Sequence, residues 1–315
     1  MEGTLTDETA REAKTFAFKA PAEYASILSG SSIEAANLAN NHSHDYGDQS
    51  YTDTIQALDN AGILNFGYDK TVVTEVKGIK IGLVGIYELK DHLGREEQLK
   101  QNIAKVKADG AQITIVIFHW GNETETVPDT NQMTLGRLAI DEGADLVCGH
   151  HPHVLQGIET YKGKNIVYSL GNFCFGGNRK AYQENKNRTP AVQDAAPALM
   201  LRAVLTFDDD GTYKGQQITL YPVQTTGIDR ATGDTVQVNN YQPKFITGPL
   251  AAHVLHLMQI DMNYDASKTP KYSNAESINK ALRALVMARE EELAAMDSSE
   301  GMEAMTLPFL PAEAE

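Results

Sequence analysis

Six of the nine histidines lie in three short polar clusters, and these clusters are the part of the sequence most suited to chemistry. They occupy positions 40–45 (NNHSHD), 119–121 (HWG) and 149–153 (GHHPH). Neutral imidazoles in a tight group are typical ligands of a divalent metal, although a single histidine such as His119 is more often a hydrogen-bonded structural residue. The mixture of imidazole, amide and carboxylate donors favours Mn, Fe or Zn.

Each cluster follows a segment that predicts a strand. The segments 113–118 (ITIVIF) and 144–149 (ADLVCG) are continuous and apolar, as in strands buried on both faces, and 31–40 predicts a strand that runs into a loop. In open α/β sheets, ligands bind at the carboxyl ends of the strands. We therefore expect the three clusters to converge at one sheet edge, and we expect 113–118 and 144–149 to be neighbouring strands.

The donors at this edge would hold one or two metal ions, and a pair about 3.5–4 Å apart would activate water and clamp a phosphoryl group. His42 stands beside a ligand-type asparagine and is expected to protonate a leaving oxygen. Asp45 and His150 are expected to orient the reacting and ligating side chains. The ligands expected from the three clusters are Asn41, His119, His151 and His153.

The rest of the chain alternates between strand and helix patterns and then changes to hairpins. This order predicts an α/β core with a second, more antiparallel sheet. Segment 176–194 predicts a surface loop, a capping box at Ser273 and Glu276 predicts a further helix, and 307–315 predicts a loose tail. The individual predictions are helices near 48–62, 99–106 and 131–142, and hairpins within 71–89, 154–173 and 198–223.

Composition excludes several classes of protein. The net charge of −15 argues against nucleic acid or an anionic membrane held by bulk charge, whereas a bound metal would still allow an anionic substrate. Two cysteines exclude a disulfide scaffold, and no apolar stretch approaches the roughly 20 residues that span a bilayer. The polar start contains no signal peptide, which predicts either a cytoplasmic protein or a chain that lacks its natural beginning.

A set of segments also matches a known family in residue type and order. The segments are 2–6 (EGTLT), 36–67, 81–86 (IGLVGI), 115–123 (IVIFHWGNE), 143–159 (GADLVCGHHPHVLQGIE) and 166–176 (IVYSLGNFCFG). Together they resemble the bacterial capsule synthesis protein family of the CapA type. This family is associated with poly-gamma-glutamate capsules and belongs to the calcineurin-like metallophosphatase superfamily. The resemblance covers about residues 2–225, and NNH, HWG and GHHPH in this order form a specific combination.

The resemblance implies a fold and a division into domains. Residues 1–245 would form a metallo-dependent phosphatase-like α/β/β/α sandwich, and 246–315 would form a C-terminal helical extension with an acidic tail. Family members have an earlier strand that ends in Gly-Asp and supplies a further metal carboxylate. The present chain begins after that point, so it is expected to lack the first strand.

The resemblance also implies roles for individual residues. His42 resembles the catalytic histidine beside a metal-ligand asparagine, and Glu2 occupies the place of a bridging carboxylate. His119 resembles the ligand from the middle strand, and His-Pro-His matches the spacing of the closing ligand pair. The implied metal ligands are Glu2, Asn41, His119, His151 and His153.

Two classes of function stay open at this point. The first is an enzyme that uses a divalent metal to hydrolyse a phosphate or amide bond in capsule or envelope polymer metabolism. Its substrate would be an anionic polymer or a small phosphate-containing molecule, and its partners would be membrane-bound capsule machinery. The second is a non-catalytic polymer-binding or assembly scaffold with a degenerate metal site; a metal-storage or sensing module is weaker. The family implies an extracellular or cell-surface location.

Overall fold

The computed structural model describes residues 1–175, 197–224, 243–246 and 304–312, together with positions 251, 254, 255 and 258. The chain forms two compact units. The first contains Met1–Trp120 and Leu138–Val147, and the second contains Gly121–Arg137 and Cys148–Glu315. No helix within the described residues is long and apolar enough to cross a membrane.

The first unit combines short parallel strand pairs with part of a larger sheet. Its helices are α1 (Ala25–Gly30), α2 (Gly47–Asn60), α3 (Glu96–Ala108) and the end of α4 (Thr130–Asp141), with 3-10 turns at Ala22–Tyr24 and His92–Arg95. Its strands are β1 (Thr4–Leu5), β2 (Lys19–Ala20), β3 (Ala35–Asn37), β4 (Leu64–Phe66), β5 (Val72–Val76), β6 (Ile79–Tyr87), β7 (Ile113–His119) and the start of β8 (Leu146–His150).

Strand β7 places His119 at the carboxyl end of the sheet. It pairs in parallel with β6, with Tyr87 opposite His119, and α3 connects the two strands. Strand β8 follows β7 in the strand order. The N–H of Thr114 donates to the carboxylate of Asp145 at 2.9 Å, and the N–H of Asp145 donates to the Thr114 carbonyl at 2.7 Å. The prediction that the two apolar segments are neighbouring buried strands is therefore confirmed.

Two glycines let β3 approach β6 closely. A Cβ at Gly85 would lie 2.9 Å from the Cα of Gly67 and closer still to Oδ1 of Asn37. Gly67 itself has φ +133°, a conformation that L side chains rarely adopt. The same Asn37 oxygen accepts a hydrogen bond from the N–H of Ala39 at 3.0 Å, so it directs the chain from β3 toward the 40–45 cluster.

A small apolar core holds this part of the first unit together. It joins β1, α1, the end of β3 and α2, so that the N-terminal segment packs on the helix that follows the 40–45 cluster. The spacing of its apolar residues explains why 47–60 is helical, since one face of α2 is buried. The buried members of this core are Leu5, Ala25, Ala36, Leu38, Ala57, Leu58 and Ile63.

The second unit contains antiparallel hairpins, as the sequence predicts. The hairpin of β9 and β10 turns at Lys162 and Gly163, both in the left-handed region that such turns favour. Strands β11 and β12 pair along almost their whole length. The strands of this unit are the end of β8, β9 (Leu155–Tyr161), β10 (Lys164–Leu170), β11 (Pro197–Phe207), β12 (Tyr213–Gln224), β13 (Lys244–Phe245), β14 (Met305–Thr306) and β15 (Leu310–Pro311).

Strand β12 also pairs with three short segments that lie far from it in sequence. Strands β13, β14 and β15 all run antiparallel to it. Met305 and Leu307 are buried in the core of the second unit. The predicted loose tail over 307–315 is therefore wrong for the residues of β15, because backbone pairing and buried apolar side chains outweigh the acidic composition.

The mixed α/β class is confirmed, and the finer expectations have different outcomes. The α/β/β/α sandwich and the domain boundary at 245/246 stay predictions. The surface loop predicted over 176–194 and the helix predicted at Ser273 lie outside the described residues.

Candidate functional site

The 40–45 cluster forms a tight turn after β3. The side-chain oxygen of Asn40 accepts a hydrogen bond from the N–H of His42 at 2.8 Å, and the Asn40 carbonyl accepts from Ser43 Oγ at 3.2 Å. The hydroxyl of Tyr68 donates to the same carbonyl at 2.9 Å. Asn side chains form such local turns readily, which explains why this sequence leaves the strand here.

His42 and Asp45 form a buried hydrogen-bonded pair. Nδ1 of His42 lies 2.8 Å from Oδ2 of Asp45, which is completely buried. The ring of Phe18 packs on His42, with ring centroids 4.5 Å apart. An Nδ1–H donated to a carboxylate determines the tautomer and leaves Nε2 as the nitrogen that exchanges protons. The expected orienting contact of Asp45 is thus present in the structure.

His119 brings together the predicted ligands of the first unit. Its Nε2 lies 2.8 Å from Oδ1 of Asn41 and 3.4 Å from Oε1 of Glu2. His119 is 3% exposed, and the Glu2 side chain is 28% exposed, so the group can be reached from solvent. An imidazole, an amide oxygen and a carboxylate therefore meet around one ring nitrogen.

This donor set fits a divalent metal ion. Imidazole with amide and carboxylate oxygens is a donor combination that Mn, Fe and Zn accept. Without a metal, the short distance from Nε2 to Oδ1 of Asn41 fits an N–H donor and a carbonyl acceptor. A metal would replace that proton, since ligating imidazole must be deprotonated at the binding nitrogen. Glu2, Asn41 and His119 would then hold the ion in this unit.

Two tyrosine rings pack in a row beside His119. Tyr87 lies next to His119, with ring centroids 6.1 Å apart, and Tyr68 lies next to Tyr87 at 6.2 Å. Burial raises the pKa of both Tyr68 and Tyr87. Both phenols are therefore neutral at physiological pH, and they add aromatic packing but no charge beside the ligand group.

His151 and His153 lie together in the second unit, in an unusual backbone conformation. Their ring centroids are 5.7 Å apart, and their φ angles are +97° and +59°, in the left-handed region. Such conformations are uncommon for residues other than glycine and cluster at functional sites. The N–H of Thr124, another left-handed residue, donates to the carbonyl of Pro152 at 2.8 Å and holds this turn in place.

Asn172 orients His153, and the sequence reasoning missed this role. Its Oδ1 lies 2.8 Å from Nδ1 of His153, and its Nδ2 donates to the His153 carbonyl at 3.3 Å. Nδ1 is thereby occupied, so Nε2 is the ligating atom of this ring. The signal in the sequence was an asparagine at the end of a predicted strand, in the segment SLGN, much as Asn41 stands at the end of the strand predicted over 31–40.

His150 ends β8, and desolvation by the surrounding protein lowers its pKa to about 4. It is therefore neutral at physiological pH, which suits an orienting role better than a charged one. The positions of the predicted site residues are compatible with their expected roles, and the roles themselves stay predictions. His119 belongs to the first unit and His151 and His153 to the second, so their convergence stays a prediction too.

Comparison with known proteins shows to which family the chain belongs. Residues 1–177 match the model of the bacterial capsule synthesis protein family PGA_cap, which is more than half of the chain. The chain is a member of this family. The matched region contains Glu2, the three histidine clusters and Asn172, so all residues of the candidate site fall within it.

Curated relatives match between 43% and 49% of the chain. The chain is 36% identical over 161 residues to the capsule biosynthesis protein CapA of Bacillus anthracis, covering 44% of this chain and 39% of that protein. It is 35% identical over 176 residues to the PGA biosynthesis protein CapA of Bacillus subtilis, covering 49% and 45%. A probable polyglutamine synthesis accessory protein of Mycobacterium tuberculosis is 28% identical over 165 residues, covering 43% of each. The match thus spans less than half the length of these relatives.

Proposed function

We propose that the chain acts in the biosynthesis of a poly-gamma-glutamate-type capsule or envelope polymer, through a metal-dependent site of hydrolase type. The observation that carries this proposal is the meeting of Glu2, Asn41 and His119 beside the His42–Asp45 pair. Membership of the capsule synthesis family and the names of the relatives support the polymer. Family membership also supports a role at the cell envelope.

Some residues of the first unit would bind the metal ion, and others would transfer a proton. Glu2, Asn41 and His119 would hold the ion, which would supply Lewis acidity and a more acidic bound water. His42 moves a proton through Nε2 because Asp45 occupies Nδ1. As an imidazolium, His42 would donate this proton to the leaving oxygen or nitrogen, and Asp45 would stabilise the charge.

The charge of the chain determines how an acidic substrate would be bound. The chain carries a net charge of −15, so bulk charge repels an acidic polymer and the attraction must be local. A divalent ion at His119 reverses the field there. An anionic polymer with carboxylate side groups, or a small phosphate-containing molecule, would therefore be recognised at the ion. In the cell, membrane-bound capsule machinery would supply the polymer.

Substitutions of three histidines in the first unit test this proposal. His42→Ala should lower turnover of gamma-linked glutamate oligomers or a generic phosphodiester, with added Mn²⁺, by about 10²–10⁴-fold while leaving metal content unchanged. His119→Ala should empty the site. The matched control is His44→Ala, since His44 lies in the same turn and stacks on Tyr51 instead of joining the ligand group.

Two results would contradict the proposal that the chain is an enzyme. A His42→Ala chain as active as the wild type would show that the His42–Asp45 pair does not transfer protons. A wild-type chain that binds gamma-glutamate oligomers but never cleaves them would favour the assembly scaffold. Metal analysis of His151→Ala gives the separate test of the predicted convergence, because loss of the same ion as in His119→Ala would show that both histidines bind it.

A further inference from the structure

The segment that precedes the predicted ligand turn is held on Asp45 by several contacts. The N–H of Glu12 donates to the main-chain carbonyl of Asp45 at 2.9 Å, and the N–H of Phe18 donates to its Oδ2 at 2.6 Å. The guanidinium of Arg11 donates to the Thr15 carbonyl at 2.7 Å and keeps the intervening loop compact. The chain between 11 and 18 therefore lies over the 40–45 cluster.

Lys14 makes the central contact of this segment. Its ammonium donates to Oδ1 of Asp45 and, at 2.6 Å, to the main-chain carbonyl of Asn41. The Asp45 side chain is completely buried, whereas the Lys14 side chain is 30% exposed. A buried carboxylate requires a cation or several donors, and Lys14 is the cation that contacts this one.

The two acceptors of Lys14 belong to residues with predicted roles in the turn, the metal ligand Asn41 and the His42 partner Asp45. Asn41 places its amide oxygen against His119, and Asp45 accepts from Nδ1 of His42. One ammonium therefore connects the backbone of the predicted metal ligand to the partner of the predicted acid. An ammonium is a compact charge with three donors, so it can hold both acceptors at once.

We propose that Lys14 is a positioning residue, which holds Asn41 toward the metal and Asp45 on His42. This inference rests on the proposed function for the metal, but the orientation of His42 can be measured without any metal or substrate. Loss of the ammonium would leave Asp45 with the Phe18 N–H and His42 as its donors, and it would release the Asn41 carbonyl. Both the ligand geometry and the His42 tautomer would then relax.

The test compares four chains. Lys14→Met removes the charge and keeps the aliphatic stem, and Lys14→Arg restores the charge. The matched control is Lys19→Met, which makes the same charge change five residues further along the chain. Lys19 donates to the Glu8 carbonyl at 2.5 Å and lies over the Tyr46 ring, and neither contact involves the Asp45 carboxylate.

Two readouts separate positioning from general stability. Nitrogen-15 NMR of the metal-free chain should show His42 with its proton on Nδ1 in the wild type, Lys14→Arg and Lys19→Met, and a mixture of tautomers in Lys14→Met. Titration with Mn²⁺ or Zn²⁺ should show affinity about 10–100-fold weaker for Lys14→Met than for the wild type, as is typical when a group that orients a ligand is lost.

The possible outcomes are distinguishable. An unchanged His42 tautomer in Lys14→Met, or equal losses in Lys14→Met and Lys19→Met, would overturn the proposal. If Lys14→Met does not fold, the neutral polar variant Lys14→Gln takes its place in the same spectrum, where mixed tautomers support the proposal and unchanged Nδ1 protonation overturns it. A wild-type chain that binds no metal would contradict the proposed function. The comparison of His42 tautomers would still test whether Lys14 positions Asp45.

Discussion

Replacing Asp45 with asparagine tests the electrostatic design of the turn with almost no change in shape. The buried carboxylate accepts from three donors: the Lys14 ammonium, the Phe18 N–H and Nδ1 of His42. An amide offers one oxygen in place of two and adds an NH₂ group. In the best orientation, its oxygen faces Phe18 and His42, and its NH₂ faces the ammonium.

The expected loss follows from these contacts. Hydrogen bonds to a charged group contribute about 1.5–3 kcal/mol each and neutral ones about 0.5–1.5 kcal/mol, so the two surviving bonds lose about 2 kcal/mol together. A buried NH₂ without an acceptor costs about 1–3 kcal/mol more. Two effects offset part of this cost. The partly exposed Lys14 ammonium can bind water instead, and the neutral amide avoids the cost of burying the Asp45 charge. We expect the free energy of unfolding to fall by about 2–4 kcal/mol.

Urea unfolding followed by tryptophan fluorescence measures this loss. Trp120 is the one tryptophan of the chain, and it is buried and stacked on Phe118. The control is Asp48→Asn, which removes the same charge three residues away. The Asp48 side chain is fully exposed, so its loss should stay within about 0.5 kcal/mol. Equal and small losses for Asp45→Asn and Asp48→Asn would refute the view that the buried charge anchors this turn.

Three further predictions concern packing and thiol chemistry. Gly85→Ala should lower the free energy of unfolding by about 1–3 kcal/mol, because the new Cβ overlaps the asparagine side chain at the end of β3; an unchanged urea midpoint would contradict the packing. Met305→Ala should lower the free energy of unfolding by about 2–5 kcal/mol, because the Met305 side chain is buried. Thr306→Ala is the control, and it should change this free energy little because Thr306 is exposed. Equal effects of the two substitutions would mean that Met305 of β14 does not pack in the core. Ellman's reagent at pH 8 should modify Cys174, which is exposed, and spare Cys148 until the chain is unfolded, since burial raises the pKa of Cys148 to about 12; two reactive thiols in the native chain would refute this.

Long apolar segments were predictable because their signal lies within a few consecutive residues. The run at 113–118 gave β7, and Leu99, Ile103 and Val106 gave α3 at their helical spacing. Lys77 and Gly78 marked the hairpin turn because a two-residue turn of this kind needs left-handed backbone. The three histidine clusters could be found because each lies within a few consecutive residues at the end of a predicted strand.

Contacts formed across long sequence distances could not be predicted from local patterns. Lys14 lies in a polar stretch with no periodicity, and only the folded chain places it on Asp45. The role of Asn172 depends on a turn that ends 19 residues earlier at His153. Strands of two residues, such as β15, are too short for a recognisable pattern, so the segment 307–315 resembled a loose tail.

The pairing of β12 has a consequence for protein synthesis. Thr219 in β12 pairs with Thr306 in β14, 87 residues later in the chain. At about 5–20 residues per second, ribosomes need about 4–17 s to add the residues between them. During this time the ladder of β12 toward β14 and β15 cannot form, and open strand edges are sites of aggregation. The sheet of the second unit therefore completes its pairing only after translation has passed residue 311, and chaperones that act late in synthesis should affect the yield of the folded protein.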